Sequence, residues 1–115
     1  MFNPTYSEEQ QALLETARKF TREVIIPQAH EYDESEKFPV PIFNAAFEVG
    51  LMNVELPEAY GGLGLGTLDG CLMAEELAYG CAAIATSIMC NHLGALPLMI
   101  AGSAAQKEKY LSWLT

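Results

Sequence analysis

Apolar residues recur at helical spacing along most of this chain, and the recurrences break at prolines, glycines and capping residues. Leu13, Ala17, Phe20 and Val24 follow one another three or four positions apart with charged residues between them. Ser7 ahead of them, with Gln10 three positions on, forms a capping box. The pattern predicts a long amphipathic first helix. Pro27 lacks a backbone donor and crowds the carbonyl of Glu23, so it is expected to kink or stop that helix ahead of a polar segment, His30 to Lys37. A short second helix fits Pro41 to Val49, with Pro41 in its first turn and a stripe of Ile42, Phe43, Ala46 and Phe47; Gly50 and Leu51 read as its C-terminal glycine cap. Leu68 to Tyr79 is apolar on most sides and confines its acids to Asp69, Glu75 and Glu76, as a helix near the centre of a bundle would. Ala82 to Ala101 predicts another buried helix, bent near Gly94 and Pro97. A second capping box, Ser103 with Gln106, opens a last helix packed through Tyr110, Leu111 and Leu114. With no period-two strand of useful length, the expected fold is all-α: one domain over 1–115, an orthogonal or up-down bundle of about five helices.

Between the second and third of these helices lies a glycine-dense turn, Leu56-Pro-Glu-Ala-Tyr-Gly-Gly-Leu-Gly-Leu-Gly-Thr67. Glycines at 61, 62, 64 and 66 allow positive φ, Thr67 can cap the helix that begins at Leu68, and Asp69 in its first turn complements the dipole. The spacing from Gly61 to Gly66 imitates a phosphate-binding loop, yet Thr67 stands where that loop needs its lysine. The dinucleotide fingerprint fails too, since no glycine occupies position 67 and no strand precedes the run. A structural turn is the expectation. Leu63 and Leu65 alternate with the glycines and project from the bend. Either they fold back on the domain's own core, or, with Leu13, Leu51 and Met73 from adjoining helices, they form a shallow apolar pocket for another protein.

Charge narrows the partners. Fifteen acidic against six basic residues leave a net charge of −9, which repels nucleic acid and anionic membranes. Cys71, Cys81 and Cys90 are odd in number and lack C-x-x-C spacing, which points to buried thiols in a reducing compartment and not to disulfides or zinc. His30 and His92 belong to no ligand motif and read as ordinary histidines, so no metal site is expected. Glu75 and Glu76 are adjacent, pointing about 100° apart on a helix, and do not converge as an acid/base pair. Met1 to Tyr6 shows no signal peptide, so the chain is cytoplasmic or has lost a targeting segment. Leu77 to Gln106 carries no charge at all, but Asn91, His92, Gly94, Pro97 and the many alanines favour a helix buried in protein over a membrane span.

Four runs, taken in order, resemble the N-terminal helical domain of the acyl-CoA dehydrogenase family and are most like its medium-chain branch. They are Thr16-Ala-Arg-Lys-Phe20, Pro57-Glu-Ala-Tyr-Gly-Gly-Leu-Gly64, Glu75-Glu-Leu-Ala-Tyr-Gly-Cys81, and Gln106-Lys-x-Lys-Tyr-Leu111. The resemblance implies a parent enzyme, the FAD-dependent α,β-dehydrogenation of fatty acyl-CoA, with an FAD-binding β-domain and a C-terminal helical domain carrying the catalytic glutamate. It places neither role on Glu75 or Glu76, and it leaves no catalytic residue, FAD site or activity with this chain alone. It further implies an acyl-pocket wall at Ala85, Thr86, Met89 and Leu93. Medium-chain relatives tend to carry polar residues where this chain has Ala85 and Met89, which bears on chain-length preference. Electron-transferring flavoprotein is the implied partner, docking at Leu13, Leu51, Leu63, Leu65 and Met73. A mitochondrial matrix or bacterial cytoplasmic location is implied as well. Apart from the resemblance, the charge-free stretch Leu77 to Gln106 is more apolar than a small monomer needs, so the domain is expected to expose apolar surface and to form homo-oligomers. The reading that competes is a stand-alone helical module that holds a hydrophobic ligand or a protein partner without catalysis.

Overall fold

The computed structural model describes residues 5–115; the first four, part of the Met1 to Tyr6 stretch read above for a leader, lie outside the described residues. The chain forms α1 (Glu8–Phe20), a π-helical turn (Thr21–Ile25), α2 (Ile26–Ser35), α3 (Val40–Glu48), a 3-10 turn (Glu58–Tyr60), α4 (Thr67–Gly80), α5 (Ala82–Ala101) and α6 (Ala104–Leu111). Since the backbone stays right-handed through the π turn, α1 and α2 make one rod, and the bundle has the five rods expected. No strand occurs among the described residues.

Both capping boxes form. The Ser7 hydroxyl accepts from the Gln10 amide at 3.1 Å and the Gln10 side chain accepts from the Ser7 amide at 3.1 Å; Ser103 and Gln106 repeat the exchange. The Gly50 cap also forms, with φ +77° and the Leu51 amide reaching back to the Ala46 carbonyl at 2.9 Å.

Two expectations need correcting. Of the two outcomes expected at Pro27, a kink or a stop, the helix does not stop: it runs on to Ser35 and takes in most of the polar segment His30 to Lys37. The reason is the π turn immediately before Pro27. There the Ile26 amide donates to Thr21, five residues back, so Pro27 enters the following helix in its first turn, where a missing donor does little harm. The Gln28 side-chain amide donates to the Val24 carbonyl at 2.9 Å. Tertiary contacts hold the wide turn. The Thr21 hydroxyl donates to the Glu76 carbonyl at 3.0 Å, and Gly80 at the end of α4 lets the turn approach so closely that a Cβ there would stand 2.7 Å from Thr21 Cγ2. The second correction concerns Thr67, which is the first residue of α4 and not its cap. Gly66 occupies the cap, and the Asp69 carboxylate accepts from the Gly66 amide at 2.9 Å and from Gln10 Nε2 at 2.8 Å, tying α4 to the start of α1.

The central position expected for α4 is observed, as it packs against α1, the π turn and α5. The main core joins Leu13, Ala17 and Phe20 from the first rod with Leu51, Met73, Leu77, Ile84 and Ile88, while a smaller cluster of Leu56, Ala95 and Leu111 sits under α6. α5 is less covered than its composition suggests. It continues unbroken past Gly94 and through Pro97, buries Ile84, Ala85, Ile88 and Ala95, and leaves Leu93 and Ile100 64% and 75% exposed.

Candidate functional site

The glycine turn is held by a short connector, Asn53 to Leu56, itself a turn closed by the Leu56 amide donating to the Asn53 carbonyl at 3.3 Å. The amides of Leu63, Gly64 and Leu65 donate to the carbonyls of Asn53, Leu56 and Val54 at 3.1, 2.8 and 3.0 Å. Gly61 and Gly64 take φ values of +91° and +64°, the conformation for which glycine is suited. Gly62 is required for a different reason: it lies against the Leu56 carbonyl, where no side chain fits.

This geometry decides the phosphate question. The amides of Gly61 and Gly62 donate to Glu58 and Pro57, and that of Gly66 donates to Asp69, so every amide from 61 to 66 is already engaged within the protein. A phosphate cradle needs such amides free and turned outward, and here a carboxylate fills the helix N-terminus instead. The turn therefore does not fit the pyrophosphate of a flavin dinucleotide. Among the described residues no group of three or more His, Cys, Asp or Glu could hold a metal ion.

Of the five residues expected to form an apolar dock, the structure gathers four in the core and leaves one on the surface. Leu13, Leu51 and Met73 are buried in the main core, and Leu65, half-buried, packs against the same cluster. Leu63 alone is substantially exposed, beside a small cavity of about 110 Å³ that Phe47, Met52 and Thr115 help to line. Leu68, on the next turn of chain, adds a second exposed leucine that the sequence reading passed over.

On α5 the four candidate wall residues span an arc of about 100° at the helical angle per residue. Ala85 lies at its buried edge, Met89 is half-buried on the core, and Thr86 and Leu93 are exposed. The Thr86 hydroxyl donates back to the Ala82 carbonyl at 2.8 Å. Thr86, Cys90, Leu93, Pro97 and Ile100 continue as an exposed, uncharged stripe along the helix. A separate cavity of about 390 Å³ opens between α2 and the start of α5, lined by Tyr32, Phe38, Cys81 and Ile84 among others, and none of the four candidates borders it.

The cysteines depart from expectation. Cys71 and Cys90 lie on exposed helix positions, and Cys81, at the cap of α5, is half-buried against the main core. Glu76 has a surface role: its carboxylate accepts from Arg18 Nε and Nη2 at 2.7 Å each, and this hydrogen bond and charge raise the Arg18 guanidinium still further above its ordinary pKa. His30 is exposed beside Glu34, while His92 lies 3.5 Å from Glu55, a part-buried contact across 37 positions that no spacing rule would find.

Comparison with known proteins places these features in a larger frame. Residues 7–115 match the family model described as "Acyl-CoA dehydrogenase, N-terminal domain". The chain is 44% identical over 108 residues to a probable medium-chain specific acyl-CoA dehydrogenase 2, mitochondrial, of Caenorhabditis briggsae, covering 94% of this chain and 26% of that protein. Its fold is similar, at TM-score 0.88 and 27% identity, to a chain in the structure of the electron transferring flavoprotein of Acidaminococcus fermentans, covering 98% of this chain and 30% of that one. It is similar also to acyl-CoA dehydrogenase complexed with FAD from Bacillus anthracis, at TM-score 0.73 and 30% identity, covering 98% and 20%. The chain thus spans about a quarter of the length of the curated relatives it matches.

Proposed function

The chain belongs to the acyl-CoA dehydrogenase family as an N-terminal domain, and from that premise we propose that it serves an FAD-dependent enzyme of fatty acyl-CoA β-oxidation in two ways: as a wall of the acyl pocket and as a docking surface for electron-transferring flavoprotein. The flavin supplies the redox chemistry and is held by other parts of such an enzyme; this domain's residues bind, shape and exclude water. The observation that carries the proposal is the uncharged stripe on α5, whose edge runs into the core through half-buried Met89 and buried Ala85. Such a face suits an aliphatic chain, and its exposed part suits the remaining domains of a longer enzyme or a second copy of it. α5 is also long and apolar enough to cross a membrane by length and composition, but one side of it is already packed on α3, α4 and α6. The 44% identity to a relative named as medium-chain specific and mitochondrial supports a medium-chain substrate and the mitochondrial matrix, and bacterial relatives leave a bacterial cytoplasm as the other setting.

The pocket reading is tested by Ala85→Gln in a full-length enzyme carrying this segment. Glutamine adds four heavy atoms at the edge of the wall, so preference shifts to shorter chains, with kcat/KM for the longest good substrate falling about tenfold or more relative to a short one. An unchanged chain-length profile removes α5 from the pocket.

For docking, the proposal narrows to Leu63 with Leu65 at its edge, over a floor in which Leu13, Leu51 and Met73 are buried. Titration with electron-transferring flavoprotein should perturb the methyl resonances of Leu63, Leu65 and Met73, and Leu63→Ser should weaken binding about tenfold, the loss of one leucine-sized anchor. Perturbations confined to other faces would overturn it.

A further inference from the structure

The Asn53 to Leu56 connector serves two surfaces at once. Its main-chain carbonyls accept the three amides that shape the turn around Leu63 and Leu65. Its side chains run to α5: Asn53 Oδ1 accepts from Asn91 Nδ2 at 3.4 Å, and the Glu55 carboxylate lies 3.5 Å from His92 Nε2. Asn91 and His92 fall between Met89 and Leu93 along α5, at the level of the proposed acyl wall but outside its arc, on the side of the helix turned to the connector. The attachment is enclosed. The Glu55 side chain is 11% exposed, and Gly70 on α4 leaves it room, since a Cβ there would stand 2.5 Å from its carboxylate oxygen. His92 Nδ1 is buried with no partner, so Nε2 is the ring's only polar anchor. Asn53 Nδ2 donates in turn to the Leu114 carbonyl at 2.6 Å, which fixes the far side of its amide.

We infer that Asn53 and Glu55 are positioning residues that couple α5, from the side opposite its proposed acyl face, to the docking turn. A shift of α5 near Asn91 and His92 moves the connector, and the connector carries the acceptors for Leu63, Gly64 and Leu65 with it, because tightly packed segments move as units. The two surfaces would then sense one another without sharing a residue. The inference rests on the proposed pocket and dock for its biological meaning, but its test requires neither acyl-CoA nor flavoprotein.

Amide hydrogen exchange in the 115-residue chain supplies that test. In the double variant Asn91→Ala, His92→Ala, exchange at Leu63, Gly64 and Leu65 should accelerate about fivefold or more, the effect of losing about one net hydrogen bond's worth of restraint, while amides from Leu13 to Phe20 change less than about twofold. Asn91 retained with His92→Gln, which keeps a side-chain N–H donor, should restore most of the turn's protection. Glu55→Gln, which keeps an acceptor, should likewise stay near the parent. Acceleration spread evenly over the chain, absence of rescue by His92→Gln, or unaltered protection at 63–65 would each overturn the coupling. If protection behaves as stated while chain length and flavoprotein binding do not, the proposed function fails and the coupling stands.

Discussion

Leu51→Ala lowers the unfolding free energy by about 2–5 kcal/mol, whereas Leu63→Ser changes it by less than about 1 kcal/mol. The two leucines look equivalent as members of one proposed dock, and their surroundings separate them. Leu51 is 0% exposed and touches residues from several helices in the main core, so truncation removes transfer energy and leaves a cavity that the packed helices cannot close. Leu63 is 46% exposed and loses little on becoming polar. Urea denaturation of both variants, followed by circular dichroism, gives the comparison directly. Equal losses would mean that the glycine turn is packed far more tightly than its exposure indicates. The contrast also sets the proper probe of docking: a defect from Leu51→Ala reports on folding, while one from Leu63→Ser reports on the surface.

Gly62→Ala costs about 2–4 kcal/mol, well above the roughly 1 kcal/mol of Gly50→Ala. A Cβ at Gly62 would stand 2.1 Å from the Leu56 carbonyl oxygen and 2.4 Å from its carbon, both backbone atoms that no rotamer change can move. That carbonyl also accepts from Gly64, so relieving the clash pulls on the turn's own hydrogen bond. Gly50 has the more unusual φ, at +77°, yet a Cβ there meets nothing within 4 Å and suffers only the conformational penalty. Midpoints from chemical denaturation rank the two. A smaller loss for Gly62→Ala than for Gly50→Ala would show that the connector and turn can separate freely, and would weaken the coupling inferred above at the same time.

Much of the architecture was legible in the residues because it depends on local chemistry. The capping boxes at Ser7 and Ser103, the Gly50 cap and the helical spacing of Leu13, Ala17 and Phe20 involve groups within a few positions of one another, and such interactions are encoded where they act. The four motif runs likewise carried the family, which the match over residues 7–115 bears out. What sequence alone did not settle depends on groups brought together from afar. Pro27 reads as a helix breaker until Thr21 and Ile25 are seen wedged against Gly80, which sustains the π turn that accommodates it. The charge-free run from Leu77 to Gln106 reads as more apolar than a small domain needs, but hydrophobicity records only that a residue disfavours water and not which residues this domain covers; only the packing shows that Cys90, Leu93 and Ile100 are the open ones. Leu63 and Leu65, two positions apart in one turn, differ in the same way, since only Leu65 reaches the core. The pairing of Glu55 with His92 was beyond any spacing rule, because a contact across 37 residues exists only once the helices between them have packed.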